Sequence, residues 1–173
     1  RAGAKVTIIS RVGKDEAGKQ IVDNLIYNGV LTNNIEIVDG IESDRADVII
    51  DENSKDNDIK RFGNAIDSFT VDMIDRYSDV LLNSKMVVAQ MKVPKEVSVR
   101  LINFCYDNHI PLVITPCRPK RLCISEAENK ELIDKITYIT ANRKECETIF
   151  ETDNIEECLA KYPNKLIVTL GED

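Results

Sequence analysis

Four short apolar runs, separated by helical stretches, constrain this chain more than any other feature. They occupy residues 86–90, 112–115, 138–140 and 166–170. A run that is continuously apolar, without polar alternation, marks a strand buried on both faces. Between the runs the periodicity turns helical. Pro94 suits a first helical turn, and Val97, Val99, Leu101, Ile102 and Cys105 then carry an apolar face. Further helices are predicted over 126–133, 142–150 and 155–160, and one over 71–82 precedes the first run. Regular alternation of strand and helix predicts an α/β fold with a mostly parallel, Rossmann-type sheet flanked by helices.

The first third of the chain reads differently. Residues 5–10 form an apolar strand, 11–14 a turn, and Asp15 a helix N-cap. Ile21, Val22, Leu25 and Ile26 fall at helical spacing as far as Tyr27, and Gly29 supplies a stop. Residues 35–39 alternate apolar and polar, Gly40 makes a turn, 46–51 alternate less cleanly, and 51–58 are polar. This pattern predicts a small antiparallel β flap outside the core. The expected organisation is therefore 1–33 as the start of the α/β core, 34–62 as a β flap or lid, and 63–173 as the core continued.

Composition narrows the function classes. With 173 residues and 43% hydrophobic content, the chain can bury a core, which excludes global disorder. No apolar run approaches the ~20 residues of a membrane-spanning helix, so no membrane partner is expected. The net charge is −7 and no dense Lys/Arg cluster occurs, so no nucleic-acid partner is expected. Five cysteines without CxxC spacing, and His109 as the single histidine, fit neither a zinc site nor a disulfide framework. They read as reduced thiols in a reducing, cytoplasmic compartment. The chain begins at Arg1 without a methionine and stops at Asp173 in what reads as a loop, so both ends are expected to be cut.

In an open α/β sheet, ligands sit beyond the carboxyl ends of the strands. Four places qualify: Gln90 with Lys92, Thr115 through Arg118, Asn142 with Glu145, and Thr169 with Gly171. Asn142 followed three residues on by Glu145 has the spacing of a helix cap. The same geometry suits phosphate at the helix N-terminus and Mg2+ held through water by the carboxylate. Thr169-Leu170-Gly171 is either a strand exit or a turn whose N–H groups meet an anion. Cys117 has no general base nearby in sequence, and His109 reads as structural.

Taken together, these segments resemble the ribokinase, or PfkB-type, carbohydrate kinase family. Gly3-Ala4-Lys5-Val6, then Gly13-Lys14-Asp15-Glu16-Ala17-Gly18, is similar to the family's G-A-x-V…G-x-D-x-x-G passage. Gly29-Val30 is similar to its G-V step, and 43–51 with Asn57-Asp58-Ile59 to its lid strands and their turn. Gln90-Met91-Lys92-Val93-Pro94 resembles Q-x-E-x-P, and Thr115-Pro116-Cys117-Arg118-Pro119 resembles N-P-A-P. Asn142-Arg143-Lys144-Glu145 matches N-x-x-E, and Val168-Thr169-Leu170-Gly171 opens T-x-G-x-x-G. Seven motifs in order cover essentially the whole chain.

The resemblance implies a ribokinase-like fold and transfer of the ATP γ-phosphoryl group to a sugar hydroxyl. It implies ATP and Mg2+ as cofactors, allows a monovalent cation, and implies a homodimer through the lid. By it, Asn142, Thr169 and Gly171 bind nucleotide, and Glu145 serves Mg2+ through water. Lys92 lies on the sugar side, where ribokinase-like members carry an acidic residue, so the charge is reversed. The catalytic aspartate of the family's G-A-G-D motif is expected beyond Asp173, and the sugar-binding G-G-K-G-x-N passage before Arg1. No catalytic residue is therefore expected within the chain, which should be inactive alone. The alternatives are a relative acting on fructose, a ketodeoxy sugar acid or a nucleoside, and a non-catalytic nucleotide- or sugar-binding α/β module.

Overall fold

The computed structural model describes residues 3–50, 57–117 and 126–170. The chain divides into two compact units, Arg1–Phe69 and Thr70–Asp173.

In the first unit, β1 (Thr7–Gly13), α1 (Glu16–Tyr27) and β2 (Leu31–Val38) form a βαβ unit in which β1 and β2 pair in parallel. β3 (Arg45–Ile50) and β4 (Asn57–Phe62) form a separate antiparallel hairpin with Val48 opposite Ile59. Asp15 caps α1 as predicted, accepting a hydrogen bond from the Gly18 N–H at 2.7 Å.

Two expectations need correction here. Residues 11–13 continue β1 and are not a turn. Residues 34–38 belong to β2 and pair with β1, with Ser10 opposite Ile35 and Val12 opposite Ile37; they are not strands of the antiparallel flap. Alternation reports a single buried face and carries no strand direction. Direction here follows from the crossover, because a strand delivered by a helix returns parallel to the one before it. The segment expected as one flap is thus split, with Ile35 and Ile37 in the βαβ sheet and Val48 and Ile50 in the hairpin.

The second unit contains α2 (Asp72–Arg76), α3 (Ser78–Leu82), β5 (Val87–Gln90), α4 (Lys95–Asp107), β6 (Leu112–Thr115), α5 (Glu126–Lys135), β7 (Tyr138–Asn142), α6 (Arg143–Phe150), α7 (Ile155–Lys161) and β8 (Leu166–Thr169). Its four strands form one parallel sheet in chain order, β5-β6-β7-β8. The helix expected over 71–82 is broken at Tyr77, whose backbone (φ −102°, ψ 17°) leaves the helical basin.

One face of this sheet is buried through Leu112, Ile114, Ile139, Ala141 and Leu166. The helices contribute Ile102, Cys105, Ile133, Cys146, Ile149 and Cys158 to the same core. The other face is exposed at Val88 (70%), Tyr138 and Ile167, although continuous apolar runs predict burial on both sides.

Helix α4 ends where expected. His109 adopts the left-handed conformation at φ 57°, and the Ile110 N–H reaches back to the Cys105 carbonyl at 2.8 Å. That is a helix-closing turn, so His109 is structural. Cys105, Cys146 and Cys158 are buried. Burial pushes Cys105 and Cys146 up to about 11, which keeps them protonated and inert near neutrality.

Candidate active site

Strand register brings three of the expected residues together. Asn142, the last residue of β7, lies opposite Thr169, the last residue of β8. Asn142 is also the N-cap of α6. Its side-chain oxygen accepts from the Glu145 N–H at 2.9 Å, and the Glu145 Oε2 accepts from the Asn142 N–H at 2.9 Å. The capping box is therefore complete. It also fixes a carboxylate at the mouth of a helix N-terminus, beside the end of the neighbouring strand. One oxygen of Glu145 accepts the cap bond, and a carboxylate has lone pairs to spare for a hydrated cation.

Gln90 and Thr115 are paired at the carboxyl ends of β5 and β6. Thr115 Oγ1 and Thr140 Oγ1 are 2.8 Å apart, and Thr140 Oγ1 also donates to the Ile114 carbonyl at 3.3 Å. Side chains alternate across a strand, so Gln90, Thr115, Thr140, Asn142 and Thr169 share the exposed sheet face. Thr140 escaped the reading of the sequence. Its signal was a polar residue two positions before Asn142, on the same face of the same strand.

Lys92 stands apart from this group. It follows β5, and its N–H bonds to the Gln90 carbonyl at 2.9 Å. The buried Met91 between them donates its N–H to the Thr115 carbonyl at 3.0 Å, which ties this turn to the end of β6. Neighbouring strands lie ~4.8 Å apart, so the ends of β5 and β7 are two strand gaps, about 10 Å, apart. Gly171 and Arg118 lie outside the described residues.

Among the described residues no group of three His, Cys, Asp or Glu side chains could hold a metal ion. Mg2+ is commonly held by one or two carboxylates together with substrate phosphates and waters. A lone carboxylate at a helix N-terminus fits that mode of binding and fits no all-protein metal cage.

The model of the pfkB family carbohydrate kinases matches residues 1–173. The chain belongs to that family. A relative named ribokinase from Bacillus subtilis (strain 168) is 33% identical over 172 residues, covering 99% of this chain and 56% of that protein. Among solved structures, Arabidopsis thaliana ribokinase complexed with ribose and ATP is similar with a TM-score of 0.74 at 18% identity. The similarity covers 94% of this chain and 53% of that one. Adenosine kinase from Sinorhizobium meliloti gives a TM-score of 0.78 at 17% identity, over 98% of this chain and 54% of that one. The fold is therefore ribokinase-like α/β. The chain spans about half the length of the relatives it matches.

Proposed function

We propose that the protein is an ATP-dependent sugar kinase with its nucleotide subsite at the carboxyl ends of β7 and β8. The observation that carries this reading is the register of Asn142 against Thr169, with Glu145 locked beside them by the capping box. Phosphoryl transfer asks chiefly for positioning and charge neutralisation. In this reading the N-terminus of α6 faces phosphate, Thr169 and Gly171 contact the nucleotide, and Asn142 orders the turn between strand and helix. Mg2+, held through water by Glu145, neutralises charge on the phosphates when bound. The base that takes the proton of the acceptor hydroxyl is none of Asn142, Glu145 and Thr169; the family resemblance assigns it to an aspartate of a G-A-G-D passage.

Ribose is the first acceptor to consider, because the relative at 33% identity is named ribokinase. Lys92 favours a second reading. An ammonium group on the acceptor side attracts a carboxylate, which a ketodeoxy sugar acid has and ribose lacks. The test is ADP release by the full-length protein with ribose, fructose, a ketodeoxy sugar acid and a nucleoside, with and without Mg2+. Turnover that needs both an acceptor and Mg2+ is expected. No turnover with any acceptor would leave a nucleotide- or sugar-binding module.

Buried reduced thiols fit a cytoplasmic enzyme, and no helix among the described residues is long and apolar enough to cross a membrane. A homodimer through the β3–β4 hairpin is part of the same proposal. Val48 and Ile49 are exposed there, and an isolated two-stranded hairpin is marginally stable without a cover. Sedimentation should show a dimer that Val48→Asp converts to monomer. A monomeric wild type at high concentration would count against it.

A further inference from the structure

Asp15 does more than cap α1. Its Oδ1 accepts from the Gly18 N–H and from the Ser43 hydroxyl, each at 2.7 Å, while its Oδ2 accepts from the Ser43 N–H at 2.8 Å. The Ser43 Oγ in turn accepts from the Gly13 N–H, at the end of β1, at 2.8 Å. Ser43 is only 1% exposed. Its backbone and hydroxyl bonds, followed by the Gly18 N–H, hold the Asp15 carboxyl below the usual carboxylate range.

The packing leaves no slack around Ser43. A Cβ on Gly18 would lie 2.7 Å from the Ser43 Oγ and 2.3 Å from the Gly13 carbonyl oxygen. Gly63, at φ +94°, brings the chain leaving β4 so close that a Cβ there would meet the Ser43 carbonyl oxygen at 2.4 Å.

Ser43 stands two residues before β3. The two roots of the hairpin are tied to each other. The Asn64 N–H donates to the Glu42 carbonyl at 3.1 Å, the Glu42 N–H donates to the Asn64 Oδ1 at 3.0 Å, and the Ile66 N–H donates to the Asp44 Oδ2 at 2.7 Å. The hairpin base is thus a bonded block, joined to the βαβ unit by the Asp15–Ser43–Gly13 bonds and, behind β4, by the Arg11 guanidinium on the Ser68 carbonyl.

The geometry points to Asp15 and Ser43 as a clamp that sets the orientation of the β3–β4 hairpin against the carboxyl end of β1. They are positioning residues for that hairpin. The consequence for acceptor binding rests on the kinase reading above; the conformational claim does not.

Hydrogen exchange on the full-length protein tests it with two variants. Asp15→Ser retains an N-cap for α1 but is too short to span to Ser43. Ser43→Ala removes only the hydroxyl bonds and is the milder change. Both should speed exchange in residues 45–50 and 57–62, by about tenfold or more for Asp15→Ser, since it removes hydrogen bonds to a charged group. Exchange in α1 should stay as in the wild type. If the kinase reading also holds, the KM for the acceptor rises several-fold while the KM for ATP is unchanged. Unchanged hairpin exchange in both variants, or exchange rising equally in α1 and the hairpin, would overturn the clamp. Hairpin release in a protein with no kinase turnover would support the clamp and reject only the kinase reading.

Discussion

Residues 1–173, purified as an isolated polypeptide, are expected to release no ADP above background from ATP with any sugar. In the proposed reading Asn142, Glu145 and Thr169 serve the phosphate side, but the attacking hydroxyl must also lose a proton. The resemblance assigns that task to an aspartate in G-A-G-D, and no such run occurs in these residues. A general base typically contributes 10²–10⁴-fold. The acceptor passage G-G-K-G-x-N is likewise absent from these residues, so orientation of the sugar is lost as well, a term that can exceed the first. The check is a coupled ADP assay at saturating ATP and Mg2+, on material shown to be folded by circular dichroism. Turnover within tenfold of the full-length protein would contradict the assignment of the base.

The second unit was legible in the sequence because its signals are local and agree with one another. The strands at 87–90, 112–115, 138–142 and 166–169 coincide with the continuous apolar runs. Pro94 and Asn142 mark helix starts, and Asn142 accepts a hydrogen bond from the N–H three residues on. What the runs could not convey is which face is covered. Val88 looks like a core residue in sequence and is exposed in the structure, because an apolar run records the surroundings of a strand without naming the element that supplies them.

The first unit was less legible. Residues 35–39 and 46–51 share an alternating pattern, yet one strand is parallel to β1 and the other sits in an antiparallel hairpin. Partner choice is a long-range property that a period of two does not encode. Ser43 shows the same limit. It is a small polar residue between Glu42 and Asp44, and nothing in that stretch of sequence marks it as a contact point. Only the approach of Gly13, Gly18 and Gly63 reveals the place of Ser43. The Asn142–Glu145 pair was visible from spacing, but spacing left both a helix cap and a phosphate site open. The structure builds the cap in full, and a cap is compatible with both.

The central claim, that Glu145 serves a metal–phosphate site as well as a cap, is tested most directly by Glu145→Gln in the full-length protein. Glutamine retains an oxygen that accepts from the Asn142 N–H, as capping boxes with Gln do, so the helix start is preserved while the charge is removed. Circular dichroism melts and steady-state kinetics at varied Mg2+ are measured side by side. The account predicts a melting temperature within ~2 °C of wild type. It also predicts a kcat about 10–100-fold lower, the usual loss when a group supporting a metal is removed, and a higher Mg2+ concentration for half-maximal rate. A variant whose kcat and Mg2+ dependence match the wild type would show that Glu145 only caps α6, and would contradict the account.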